Sequence, residues 1–175
     1  DTQHVFTFNN GTLLLDENDE AGNLGRLVRS SPEYRSTIHV GYRYDPSARC
    51  DLWEKFIREV CCEDRALMRE LQKAVGSILM ADNSLHKMYY LLGEGRNGKS
   101  TLLNMIREIF GAENGAAVRP DRLCEEFAPM ALKGKLYNIC FEGGRYLKGS
   151  EESLKGIVAG DPIMASHKGV DAVEF

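Results

Sequence analysis

Apolar and polar positions alternate most clearly near the N-terminus, where VFTFNNGTLLLD places two apolar-rich runs around Asn10-Gly11. Such runs flanking a pair that primed turns favour predict a β-hairpin. From Glu17 to Gly25 the chain is acidic and rich in Gly and Asn, which predicts a loop. Ile38, Val40, Tyr42 and Tyr44 then alternate with polar or small residues, predicting a strand over Thr37–Tyr44 that ends at Asp45-Pro46. The period next becomes helical. Asp51 is placed to cap LWEKFIREVCC, whose Leu52, Trp53, Phe56, Ile57 and Val60 form one apolar face. A second helix is expected in DRALMRELQKAVGSILM, with Leu67, Leu71, Val75, Ile78 and Leu79 on its stripe and Gly76 inside it. Asp82-Asn83-Ser84 breaks that pattern. Both helices read as scaffold without chemistry.

The apolar run Met88–Leu92, MYYLL, predicts a buried strand, and STLLNMIREIFG predicts a helix with Leu102, Leu103, Ile106, Ile109 and Phe110 inward and Gly111 as its stop. Further on, AAVRPDRL predicts a short strand and then a short helix at 121–127. The basic turn LKGK, 132–135, leads into LYNICFE, a second apolar strand with Glu142 at its carboxyl end. Gly143-Gly144 opens a loop carrying Arg145 and Lys148. Ser150 is placed to cap a helix with Glu151 and Glu152 in its first turn and Gly160 at its end. IMASHKGVDAVEF predicts a hairpin with Lys168-Gly169 near its tip.

Between strand and helix lies GEGRNGKS: Gly93, Glu94, Gly95, Arg96, Asn97, Gly98, Lys99 and Ser100, followed by Thr101. This matches the phosphate-loop pattern G-x-x-x-x-G-K-[ST]. Glycines let backbone N–H groups converge on phosphate oxygens where a Cβ would intrude. Lys99 would reach the β- and γ-phosphates, the Ser100 hydroxyl would hold Mg²⁺, and the following helix would point its N-terminus at the same anion. Such a loop needs an acid on a second strand to orient water or serve Mg²⁺. Glu142, 43 residues past Lys99, is the candidate. Lys155, His167 and Lys168 are candidates for phosphates of a threaded nucleic-acid strand. The expected fold is α/β: residues 1–84 a smaller mixed region, residues 85–175 a P-loop NTPase core built on a parallel sheet.

Composition changes the picture little. A chain of 175 residues with 43% hydrophobic and 27% charged residues suits one sizeable domain, or a small one with part of another. The net charge of −4 argues against a generally basic nucleic-acid binder, though not against a local basic loop acting in a ring. Five cysteines without a C-x-x-C pair argue against zinc and point to a reducing, intracellular compartment. No apolar run has membrane-spanning length and no signal peptide is visible, so no membrane association is expected. A first residue of Asp1 rather than Met leads to the expectation of an excised piece.

Taken together, GEGRNGKS, NICFE and LKGIVAGDPIMASHKG resemble the superfamily 3 helicases, in the phage and plasmid primase-helicase branch related to the poxvirus NTPase/primase. FNNGTLLLD, YDPSARCDLWEKFI and LQKAVGSIL are similar to the segment that precedes the ATPase core in that branch. The resemblance implies an AAA+-like motor forming homo-hexameric rings that hydrolyse ATP with Mg²⁺ and unwind single-stranded or forked DNA during replication in a bacterial cytoplasm. It matches Lys99 and Ser100 to the Walker A lysine and hydroxyl, Glu142 to a Walker B acid, and the hairpin with His167 and Lys168 to the DNA-tracking element. The family often has paired acids where this chain has Glu142 between Phe141 and Gly143, leaving open whether Glu142 serves Mg²⁺, water or both. The resemblance also implies that a sensor strand and an arginine finger would follow Phe175. Two other readings use the same loop: a nucleotide-dependent DNA-binding or assembly module without turnover, and a small-molecule phosphotransferase. The second would call for an acceptor pocket and an Arg-rich lid, and neither is evident.

Overall fold

In the computed structural model, which describes the chain apart from residues 1–3, 20, 21, 23, 143–149 and 170, Asn9 and Asn10 turn the chain between β1 (Val5–Phe8) and β2 (Gly11–Asn18). The hairpin is thus formed as expected, with the two-residue turn one position earlier, because Phe8 pairs with Gly11. The loop expected over Glu17–Gly25 is shortened to the residues between Asn18 and Leu24. β2 runs through Asn18, and β3 (Leu24–Val28) returns antiparallel to it. The Arg26 guanidinium donates to the Glu17 carboxylate at 2.7 Å, so one of the acids that suggested a loop is paired across two strands.

The strand expected over Thr37–Tyr44 contracts to β4 (His39–Val40), parallel to β1. Beyond it the backbone is held by one main-chain bond, Asn9 N–H to the Tyr42 carbonyl, and otherwise by side chains. Asn9 Nδ2 donates to the Gly41 carbonyl, while Asn10 accepts from the Tyr44 N–H at 2.8 Å and donates to the Tyr44 carbonyl at 2.9 Å. The sheet order is β3-β2-β1-β4. Its core is Phe6, Phe8, Leu13, Leu14 and Val40, each under a tenth exposed. Thr12 is buried among them and bonds to Thr7 and Ser30 through its hydroxyl.

Helix α1 (Asp51–Val60) begins one residue before its expected start. Cys50 occupies the cap position, and Asp51 is the first helical residue instead of the cap. Asp64 does cap α2 (Arg65–Gly76), accepting from the N–H groups of Ala66 and Leu67. Gly76 ends the α-helical hydrogen bonding, and Ser77–Met80 continues as a tighter 3₁₀ turn. Neither helix contains a fully buried residue.

The chain divides into two compact units: Asp1–Met80 with Gly93–Lys99, and Ala81–Leu92 with Ser100–Phe175. The phosphate loop groups with the N-terminal segment.

Helix α3 (Lys99–Phe110), in the second unit from Ser100 onward, buries Leu102, Ile106 and Phe110, a stripe at four-residue spacing. β5 (Gly115–Ala116) pairs in parallel with β6 (Tyr137–Asn138). The Tyr137 ring lies over Gly115, where any Cβ would collide with it, and its hydroxyl donates to the Gly111 carbonyl. The 3₁₀ turns Pro120–Arg122 and Ala128–Leu132 replace the helix expected at 121–127. Ser150 stands at the cap position of α4 (Glu151–Ala159), which ends at Gly160 in the left-handed conformation with φ 78°. β7 (Met164–Ala165) and β8 (Val173–Glu174) form the expected C-terminal hairpin.

Candidate phosphate-binding loop

Residues 95–98 form a turn and a bend that deliver the chain into α3 at Lys99. Gly98 has φ 83°, and a Cβ added there would lie 2.6 Å from Val60 Cγ1 and 3.3 Å from the Phe56 ring. The loop is therefore seated against α1 at a point where only glycine fits. A Cβ on Gly93 would collide with the Asn97 amide, so the loop also closes on itself. Arg96 adopts φ 62°, uncommon for a residue with a long side chain.

The Lys99 ammonium turns back into this loop. It donates to the Gly93 carbonyl at 2.7 Å, the Glu94 carbonyl at 2.9 Å and Asn97 Oδ1 at 2.7 Å. An ammonium has three protons, and each has an oxygen here. Gly93, Glu94, Asn97, Gly98 and Lys99, which the spacing singled out, are thus brought together. These features fit an anion of phosphate type. Gly93 and Gly98 leave no room for a Cβ, and a cation is centred on the loop.

Two expectations about the surroundings are corrected. Met88–Leu92 is chain without a ladder partner among the described residues, and its side chains are 36% to 81% exposed rather than buried. Apolarity alone does not supply a neighbouring strand, and here none pairs with it. Glu142 is also not at a strand end. β6 stops at Asn138, whose side chain bonds both the N–H and the carbonyl of Val118 and so takes the backbone groups that would extend the ladder. Glu142 follows in a bend and is exposed.

Lys99 falls in the first unit, and Ser100, Thr101 and Glu142 fall in the second. Ser100 and Thr101 are exposed in the first turn of α3. Among the described residues no group of three or more His, Cys, Asp or Glu is arranged to hold a metal ion. His167 and Lys168 are exposed on the loop between β7 and β8, and Gly169 beside them has φ 78°. Lys155 is exposed on α4. Arg145 and Lys148 lie outside the described residues. No described helix is long and apolar enough to cross a membrane. The contact of Gly98 with Phe56 and Val60 was not foreseen from sequence, where the first helix read as scaffold alone.

Two family models match the chain. Residues 1–62 match one described as "D5 N terminal like", a domain found in phage and viral primase-helicase proteins. Residues 91–175 match one described as a family of unknown function, DUF5906. No curated protein matches the chain.

Proposed function

We propose that the chain is the nucleotide-binding part of a replicative DNA helicase of phage or plasmid type, with ATP held on Gly93–Thr101. The observation that carries this reading is the Lys99 ammonium gathered by three oxygens of a loop in which Gly93 and Gly98 leave no room for a Cβ. A triphosphate would supply anionic oxygens in place of two carbonyls and an amide, adding attraction between full opposite charges to the ammonium's hydrogen bonds. Lys99 would thereby bind and orient the β- and γ-phosphates, with Ser100 as the hydroxyl for Mg²⁺, which neutralises charge on the phosphates. Glu142 would hold or orient water for hydrolysis. The D5-like match over residues 1–62 supports the replicative context, as does the resemblance of the motif order to superfamily 3 helicases. The fold proposed for residues 85–175 is an AAA+-like core, working as a homo-hexamer on single-stranded or forked DNA.

Hydrolysis of ATP by the protein in its full-length form tests this. Turnover should rise with single-stranded DNA and fall at least a hundredfold in Glu142→Gln with nucleotide binding retained. Full activity in that variant would remove Glu142 from its role. Turnover indifferent to DNA would contradict a helicase.

A further inference from the structure

The chain carries a net charge of −4, yet Arg26–Arg49 contains five arginines against only Glu33 and Asp45. Sheet topology collects part of this surplus at one place. β1 runs towards the Asn9-Asn10 turn, β3 is antiparallel to β2, and β4 is parallel to β1. The residues that follow β3 and β4, Arg29 and Gly41–Tyr44, therefore leave the sheet at the same end as that turn. Asn9 N–H donates to the Tyr42 carbonyl at 2.9 Å, and both asparagine side chains hold the same segment. On the other side of the turn an open groove of about 500 Å³ runs along Asn9, Asn10, Leu27 and Arg29.

Arg29 and Arg43 are exposed, and among the described residues neither is in an ion pair. In contrast, Arg26, Arg119 and Arg122 are each matched by a carboxylate. Tyr42 is 43% exposed, its ring braced edge-on against Phe8 at 5.7 Å between centroids. The nearby acid, Asp45, is engaged by the N–H and hydroxyl of Ser47 at 2.9 Å and 2.6 Å. Guanidinium forks suit phosphodiesters, and a braced aromatic face suits an unstacked base. A duplex would call for a helix or a ribbon entering a groove, and this sheet end presents turns and one ring.

We propose that this end of the N-terminal sheet binds single-stranded nucleic acid, with Arg29 and Arg43 on phosphates and Tyr42 stacked on a base. The surface is separate from the hairpin carrying Lys168 and does not depend on the phosphate loop.

The test is fluorescence anisotropy of a labelled oligothymidylate with the whole chain, without ATP, over a series of salt concentrations. Arg29→Ala/Arg43→Ala should weaken binding on the order of tenfold at low salt. It should also flatten the log–log salt slope by about 1.4, at about 0.7 per lost phosphate contact. Arg29→Lys/Arg43→Lys should keep the slope. Tyr42→Leu should weaken binding about fivefold or more and leave the slope unchanged. These differences should persist in Lys99→Ala and Lys168→Ala chains, so failure of the helicase reading leaves this one standing. An oligonucleotide that the wild-type chain does not bind would overturn the proposal. So would wild-type affinity in the double alanine variant or in Tyr42→Leu. Single Arg29→Gln and Arg43→Gln variants, each with half the slope change, serve where the double substitution alters the circular dichroism spectrum.

Discussion

Replacing Gly98 by alanine tests whether the loop sits against α1 as described. Two costs can be separated. At φ 83° an alanine pays the left-handed penalty, about 1–2 kcal/mol. Its Cβ would also stand 2.6 Å from Val60 Cγ1, and the stiff branched valine cannot swing aside freely. Overpacking of this kind costs about 1–3 kcal/mol. Gly98→Ala should therefore lose about 2–5 kcal/mol, read from urea unfolding followed by circular dichroism. In a Val60→Ala background the second cost vanishes and only about 1–2 kcal/mol remains. The coupling between the two sites should then be about 1–3 kcal/mol. An unchanged urea midpoint together with unchanged nucleotide affinity would refute the placement of the loop. An equal cost in both backgrounds would refute the contact with Val60.

Asp64→Ala removes the acceptor of two N–H groups at the start of α2 and should cost about 0.5–2 kcal/mol, seen as a lower urea midpoint. Alkylation under native conditions should label the exposed Cys50, Cys62 and Cys124 readily and spare Cys61 until the protein unfolds, since Cys61 is 3% exposed and burial pushes its thiol up. Peptide mapping after brief iodoacetamide treatment checks this, and early labelling of Cys61 would contradict it. The His4 backbone N–H, with the His4 ring, holds the Asp16 carboxyl below its ordinary range. A depressed folded pKa contributes stability above the unfolded value of about 4, and that stability is lost as pH falls through the folded value. Asp16→Asn should therefore flatten the stability profile below about pH 4, measured by urea midpoints across that range.

Local chemistry was legible in the sequence and long-range pairing was not. The asparagine-rich turn between VFTF and GTLLLD announced its hairpin, and Gly160 stands at the end of its helix. β3 was hidden because the acids, Gly and Asn of 17–25 read as a loop, and only the pairing of two strands sets Glu17 beside Arg26. β4 stops early because Asn9 and Asn10 take over its backbone partners, a contact across more than thirty residues that no periodicity reveals. Met88–Leu92 shows the opposite failure. An apolar run of strand length does not state what it pairs with, and the ladder that would bury it is absent among the described residues. At the site, the G-x-x-x-x-G-K-S spacing singled out Gly93, Gly98 and Lys99, and the Lys99 ammonium turns back onto the Gly93 carbonyl. The spacing carried no sign that Phe56 and Val60 would close over Gly98, or that Asn138 would end β6 short of Glu142.

The central claim is that Gly93–Thr101 binds the phosphates of a nucleotide through Lys99. Calorimetric titration of ATP·Mg²⁺ into this chain, beside Lys99→Ala with a matching circular dichroism spectrum, tests it most directly. Binding to the wild type should be saturable and weakened at least tenfold by the substitution, as loss of a charged hydrogen-bonding group implies. Equal affinity in both chains, or no binding to the folded wild type, would contradict it.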